Sequence, residues 1–366
     1  MSGSIEPISV GFIGAGRIGQ PVIRALLAAG YSVTVYDKSK AATDEVIALG
    51  ATWSETPEQA AKNAIAVITC LARPEHVWEC MMGEQNALSG MAKGTTWMNM
   101  STTDYHSSVQ IAEAGRAKGI LSLEGPVSNI SHMGVDFGNS SMYCAGDKEG
   151  YDAVKDILEA ITEISFFTGA FGTAQAVKLL TNLMFYGSVS ICGDCLAISQ
   201  NAGIPSHWMW EQIKTSRAAS IAASQFIPML LDGSYDTSCS LEIGVKDMSL
   251  TVALADELGV PLSLGRVVNA RYALAGRMID QSKNHLVVTK LTEDENDLEI
   301  RIPDISAPSQ YGRNPQFKRS AEMDIDAFGR ATPKFPESYR APAFQPTANQ
   351  QVLVDALLDF MAGTND

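Results

Sequence analysis

The sequence predicts an α/β protein: a mainly parallel sheet with helices on both faces, followed by an all-α domain built around a long buried helix. Three observations predict it. Short apolar, β-branched runs alternate with helical spacings through residues 1–168, the order that lays parallel strands beneath crossover helices. A glycine-rich turn stands between the first strand pattern and the first helix pattern. From 173 to 201 runs one apolar-rich, proline-free stretch, too hydrophobic to serve only as a surface strut.

The run 8–14 is apolar and ends in glycine, 20–29 has helical spacing, and 32–37 alternates with β-branched residues. Further strand patterns are 64–70, 95–101, 119–127 and 140–145, with helical patterns at 57–63, 105–118 and 151–163. After 164–168 the pattern becomes helical, with stretches at 207–220, 222–231, 244–258 and 263–283 following the long helix. From about 293 to 346 Glu, Asp, Pro, Ser and Arg become prominent and apolar periodicity vanishes. That composition reads as a tail that is extended, disordered or wrapped over a partner. Residues 350–362 regain helical spacing, with Leu353, Leu357, Phe360 and Met361 on one face. The expected domains are 1–168, 169–292 and a polar extension, 293–366.

The chain has 366 residues, 46% hydrophobic and 19% charged, with a formal net charge of -14. This balance is that of a globular protein and argues against nonspecific nucleic-acid binding, which needs Lys and Arg to neutralise phosphates. No apolar run reads as long enough to cross a bilayer. Residues 1–7 are polar and lack a basic segment before an apolar one, so a cytoplasmic location with no membrane partner is expected. The cysteines are Cys70, Cys80, Cys144, Cys192, Cys195 and Cys239. Cys192 and Cys195 form a CxxC, but with no second pair and no nearby histidine the spacing points to buried thiols and no metal site.

The turn Gly14-Ala15-Gly16-Arg17-Ile18-Gly19 is a GxGxxG between strand and helix. Gly14 permits the tight turn, Gly16 a close approach of the backbone to a pyrophosphate, and Gly19 close helix–strand packing. The pyrophosphate would rest on the helix N-terminus, where free N–H groups favour an anion. Asp37 closes the second strand, where a carboxylate bonds the ribose hydroxyls and repels a 2′-phosphate. The first domain is therefore expected to be a Rossmann domain binding NAD, with NADP tolerated if Lys38 or Lys40 meets the extra phosphate.

Between 169 and 182 the chain reads Gly-Ala-Phe-Gly-Thr-Ala-Gln-Ala-Val-Lys-Leu-Leu-Thr-Asn. Lys178 and Asn182 are four residues apart, so both side chains leave one face of a helix. An amine and an amide projecting together toward a nicotinamide are suited to moving a proton while the cofactor moves a hydride.

With these motifs the chain resembles the β-hydroxyacid dehydrogenase family, the group of 3-hydroxyisobutyrate dehydrogenase and tartronate semialdehyde reductase, over roughly residues 8–283. The glycine loop matches the family's first signature, with Ile18 where methionine is usual. Met100-Ser101-Thr102-Thr103 matches the segment that reaches the nicotinamide side. Glu124-Gly125-Pro126-Val127-Ser128 matches the substrate-binding segment as far as the serine. The lysine segment matches with Ala174 in place of its third glycine, and Lys246-Asp247 resembles a pair that closes over the cofactor.

The resemblance implies hydride transfer between a β-hydroxy acid or related alcohol and its semialdehyde. Lys178 would be the general acid/base, with Lys246 lowering its pKa as a neighbouring charge. Asn182 and Ser128 would hold the substrate. Arg17, Ile18, Leu71, Thr102 and Lys246 would join the glycines and Asp37 around the cofactor. Arg73, after the third strand of this pattern, either touches phosphate or ribose or faces solvent. Dimers or tetramers are expected.

Three positions depart from the family pattern, and those after Ser128 leave open a larger or less acidic alcohol in place of a small hydroxy acid. Asn129 and Ile130 replace two glycines after Ser128, so side chains narrow or redirect the pocket and the Asn129 amide takes over backbone contacts. His132 is either a substrate contact or a loop residue. Asn99 stands where the family commonly has aspartate, a change the sequence alone does not explain. Two other readings compete. Imine reductases on this scaffold commonly lack the lysine, and the relatives that act as silent adaptors have lost it, so Lys178 argues against both.

Overall fold

The computed structural model describes residues 8–128, 140–220, 222–235, 239–301, 323–325 and 331–333. The alternation read above becomes β1 (Ser9–Ile13), α1 (Gly19–Ala28), β2 (Ser32–Tyr36), α2 (Asp44–Ala48), β3 (Thr52–Trp53), α3 (Pro57–Ala61) and β4 (Ala66–Thr69). Then come α4 (Pro74–Met82), α5 (Ala87–Gly90), β5 (Thr96–Asn99), α6 (Tyr105–Ala117), β6 (Leu121–Glu124), β7 (Val127–Ser128) and β8 (Ser141–Gly146). The helices α7 (Lys148–Ala153) and α8 (Lys155–Ile161) precede β9 (Ile164–Gly169).

The nine strands form one sheet in the order β3-β2-β1-β4-β5-β6-β8-β7, with β9 beside β8. Strands β1 to β6 run parallel. β8 is antiparallel to β6 and β7, and β9 returns parallel to β8. Alternate residues feed two cores. Val10, Phe12, Val35, Ile68 and Met98 pack with Val22, Ile23 and Leu26 of α1 and with Ile157 and Leu158 of α8. Ile13, Val67 and Trp97 point the other way, to Val77 and Met81 of α4 and Ile111 of α6. A sheet covered on both faces explains why its central strands read as continuous apolar runs. Strand order reverses between β1 and β4, which opens a crevice at their carboxyl ends, where ligands of such sheets bind.

Two local signals set helix starts. Asp104 caps α6, its Oδ1 accepting the Ser107 N–H at 2.9 Å. Thr56 caps α3 in the same way, with Pro57 at the first helical position. The single helix expected over 151–163 is instead two, because Val154 leaves helical geometry with φ -106 and ψ 15.

The long helix α9 spans Thr173–Asn201, as expected. After it come α10 (Ser206–Thr215), a π turn at Ala222–Phe226, α11 (Ile227–Leu231), α12 (Leu241–Glu257), α13 (Ser263–Met278) and α14 (Lys290–Asn296). A short antiparallel pair, β10 (Met323–Ile325) and β11 (Ala331–Pro333), lies in the polar extension. The terminal helix expected at 350–362 lies outside the described residues.

The expectation that α9 is buried needs correcting. Leu179, Tyr186, Val189, Leu196 and Ala197 are buried, but Leu180, Met184, Ile191 and Ile198 are 53–72% exposed. Apolar residues lie on more than one face of the helix, and the described residues of one chain cover part of them. Nor is an apolar run of spanning length absent: by length and composition alone α9 is long and apolar enough to cross a membrane.

The chain divides into two compact units. One comprises Met1–Leu183 with Val245–Asn269, the other Met184–Gly244 with Ala270–Asp366, so the boundary runs through α9, α12 and α13. Within the second unit, Phe185, Tyr186, Phe226, Tyr272 and His285 pack edge-on or tilted against one another, with Phe185 and Phe226 centroids 4.8 Å apart. Arg301 there pairs with the buried Glu293 at 3.0 Å and caps the Leu230 carbonyl at 3.1 Å. Cys192 and Cys195 lie on the same helix, and burial pushes the Cys192 thiol up to about 12, far from a reactive thiolate.

Candidate active site

The residues predicted to bind and react gather in the first unit. The glycine loop joins β1 to α1. Gly14 has φ +104, and a Cβ there would collide with the Cys70 carbonyl. A Cβ on Gly19 would strike the Gly14 carbonyl oxygen. Gly16 is different: a Cβ there would meet nothing within 4 Å. The fold does not need Gly16, so its missing side chain leaves open space beside the N-terminus of α1. This is the cradle a dinucleotide pyrophosphate requires. Arg17 is exposed at the loop and Ile18 takes the N-cap position.

Asp37 sits at the end of β2 with both carboxylate oxygens committed to backbone. Oδ2 accepts the Ala15 N–H and Oδ1 the Ser39 N–H, each at 2.8 Å. The acid therefore fixes the glycine loop. Lys40, considered above as a partner for a 2′-phosphate, lies 4.2 Å over the Trp53 ring. Arg73 stands 4.0 Å from Glu75 on an exposed helix start.

The segment expected at the nicotinamide side follows β5. The Leu71 N–H donates to Ser101 Oγ at 2.9 Å, which locks the β4 and β5 loops together. Lys246 Nζ donates to the Thr102 carbonyl at 2.8 Å and pairs with Asp247 at 2.9 Å. Asp247, 2% exposed, accepts from Asn182 Nδ2 at 2.8 Å. So Thr102, Lys246, Asp247 and Asn182 form one chain of contacts, with half-buried Lys178 one turn before Asn182 on α9. The structure brings together Asn182, Lys246 and Thr102, with Lys178 one turn before Asn182 on the same helix, and it gives Asp247, read from the sequence as the partner of Lys246, a second role in orienting Asn182.

The start of α9 is held from β6. Glu124, fully buried, accepts the Gly172 N–H at 2.8 Å. Burial pushes its carboxyl up to about 7, while the backbone N–H groups of Gly172, Gln175 and Ala174 act in the opposite direction. Ser128 lies in β7, half-buried, and its carbonyl accepts from Ser141 Oγ at 3.0 Å. Asn129 and His132 lie outside the described residues.

Two residues have no role assigned from the sequence: Gln175 is not singled out, and Asn99 is noted only as a departure. Gln175 and Asn99 are both buried and both bond to residues 101–103. The only available signal for Gln175 was its place three residues before Lys178, on nearly the same helical face.

Comparisons with known proteins place the chain in a family. Residues 9–170 match the NAD-binding domain of 6-phosphogluconate dehydrogenase, and residues 172–292 match the NAD-binding domain of NADP-dependent 3-hydroxyisobutyrate dehydrogenase. A glyoxylate/succinic semialdehyde reductase 2 of Arabidopsis thaliana is 28% identical over 268 residues, 73% of this chain and 75% of that protein. The human cytokine-like nuclear factor N-PAC is 27% identical over 288 residues, 78% of this chain, which spans about half (52%) of that protein's length. A crystal structure of 3-hydroxyisobutyrate dehydrogenase from Salmonella typhimurium shares the fold, with TM-score 0.71 at 22% identity over 78% of this chain and 99% of that one. With its dinucleotide loop and its lysine helix both accounted for, the chain belongs to the β-hydroxyacid dehydrogenase family of NAD(P)-dependent oxidoreductases.

Proposed function

We propose that this protein reversibly reduces a small aldehyde acid to its hydroxy acid, with Lys178 as the general acid/base and NAD preferred over NADP. The observation that carries this is the placement of Lys178 one turn before Asn182, whose amide is tied through Asp247 and Lys246 to the loop at Thr102. The name of the Arabidopsis relative, a glyoxylate/succinic semialdehyde reductase, supports an aldehyde acid as substrate.

A bound nicotinamide supplies the hydride donor or acceptor. Gly16 and the N-terminus of α1 would hold its pyrophosphate, Asp37 its ribose, and Thr102 and Leu71 would border the nicotinamide side. Because Asn182 Nδ2 donates to Asp247, the Asn182 orientation is set and Oδ1 is the atom left to accept a hydrogen bond from the substrate hydroxyl. Lys178 takes the hydroxyl proton during oxidation and returns it during reduction. Lys246, anchored on Thr102 and paired with Asp247, would offer its ammonium to a substrate carboxylate. Asp37 favours NAD by its charge, and the stacking of Lys40 on Trp53 removes one cation from the 2′-position.

The test is Lys178→Ala assayed with NADH against glyoxylate and succinic semialdehyde, with cofactor affinity followed by NADH fluorescence. Turnover is expected to fall by at least about 10³-fold with the NADH Kd within threefold. Turnover retained by Lys178→Ala refutes the assignment.

A further inference from the structure

Residues 101–103, just beyond the carboxyl end of β5, are held by a buried polar network that the mechanism above does not use. Gln175, 3% exposed, donates from Nε2 to the Ser101 carbonyl at 2.8 Å. The Thr103 N–H donates back to Gln175 Oε1 at 3.4 Å. One side-chain amide therefore pairs with the loop on both its faces, donor to carbonyl and acceptor to N–H, as a neighbouring strand would.

Asn99 shapes the same loop from below. Its Oδ1 accepts the Ser101 N–H at 3.1 Å and the Thr69 hydroxyl at 3.0 Å, while its Nδ2 donates to Thr103 Oγ1 at 3.1 Å. Thr103 and Ser108 share a further bond of 2.8 Å. Asn99 thus needs to donate and accept at once. An aspartate there would put a second acceptor against Thr103 Oγ1, turn that hydroxyl away from Ser108, and bury a charge. This accounts for the amide at 99 that the sequence left unexplained.

Gln175 stands on the first turn of α9, three residues before Lys178. The turn that presents the amine is therefore the turn bonded to the nicotinamide-side loop. All these partners are buried, so water does not replace a lost bond.

We propose that Gln175 is a positioning residue: its amide sets the spacing between Lys178 and the loop at residues 101–103, whose shape Asn99 maintains. This rests on Lys178 being the acid/base. Gln175 itself touches no reacting atom in this scheme, and its loss acts through the distance between the amine and the loop. Misplacement of about 1 Å costs on the order of 10²-fold in rate.

The experiment compares Gln175→Met and Gln175→Glu with the unaltered protein. Gln175→Glu keeps the volume and an acceptor but loses the donor to Ser101, so it decides the matter if Gln175→Met does not fold. Amide hydrogen exchange at residues 101–103, measured without cofactor, should be about tenfold faster or more in both variants. With NADH and glyoxylate, kcat should fall 10- to 100-fold with the NADH Kd within threefold. The kinetic isotope effect with 4-deuterated NADH should rise, because the hydride step becomes slower than its neighbours, and the pH–rate midpoint should stay that of the unaltered enzyme. Exchange and kcat both within twofold of the unaltered protein would overturn the proposal. Lys178→Ala separates the two readings. If it is inactive while the Gln175 variants are unaffected, only the positioning role fails; if it turns over, the acid/base assignment and the positioning role fall together.

Discussion

Asn182 and Asp247 are joined by a 2.8 Å hydrogen bond across 65 residues of sequence, and the same carboxylate pairs with Lys246 at 2.9 Å. One buried anion therefore fixes the amide beside Lys178 and the ammonium on the Thr102 loop. Asp247→Ala leaves the Lys246 charge, 16% exposed, without its partner, and breaking such a pair costs about 3 kcal/mol or more. Urea unfolding should show that loss. Lys246→Met combined with Asp247→Ala should recover part of the stability and none of the activity, because Asn182 remains unoriented. Full stability in Asp247→Ala would mean the pair is solvent-screened and does not organise the site.

Gly16 and Gly19 should separate cofactor binding from folding. Gly19→Ala drives a Cβ into the Gly14 carbonyl oxygen and against Phe12, an overpacking worth roughly 2–3 kcal/mol. Gly16→Ala meets nothing within 4 Å, so stability without cofactor should hold to within about 0.5 kcal/mol. NADH affinity should nevertheless fall about tenfold or more, the equivalent of 1.4 kcal/mol, since the methyl occupies the cradle. Calorimetric titration with NADH checks this; unchanged affinity in Gly16→Ala would move the pyrophosphate elsewhere.

Glu124 predicts a pH-dependent stability. Unfolded, its carboxyl ionises near the ordinary 4.5; folded, burial holds the proton to about 7. Between these values the folded protein binds more protons than the unfolded one. The contribution is therefore fully present below about 4.5 and is lost as pH rises through about 7. The difference corresponds to roughly 3 kcal/mol. Glu124→Gln keeps an acceptor for the Gly172 N–H and removes the titration. Urea midpoints of the two proteins, compared at pH 5 and pH 8, should show the unaltered protein losing ground to the variant at the higher pH. Parallel curves would show that Glu124 ionises normally.

The parts of the site legible in the sequence are those written in local spacing. Gly14, Gly16 and Gly19 are within one turn of chain, and Lys178 and Asn182 within one turn of helix, so period alone placed them. The residues that hold them were not legible. Gln175 finds Ser101 74 residues away, and Glu124 finds Gly172 48 residues away; such pairings depend on which strand ends meet which helix start. The break at Val154 was invisible because apolar spacing continues across it. The exposure of α9 was misjudged for a different reason: hydropathy says that a face avoids water, not what covers it.

The face that the described residues leave open yields a final prediction. Met184, Ile191 and Ile198 recur every seven residues on the second unit's part of α9 and are 72%, 60% and 69% exposed. A seven-residue repeat keeps side chains in one seam along a helix. The dimer expected from the sequence would find in this seam an apolar face to cover. Two copies related by a two-fold axis would each present the same stripe to the other. Burying three such side chains per copy contributes on the order of 5 kcal/mol per copy, and Met184→Glu with Ile191→Glu would bring like charges into the seam. Sedimentation should show a dimer or larger assembly for the unaltered protein and a shift toward monomer for the double variant, with far-ultraviolet circular dichroism unchanged. An unaltered protein that stays monomeric at every concentration would leave the stripe exposed and refute the expected dimer.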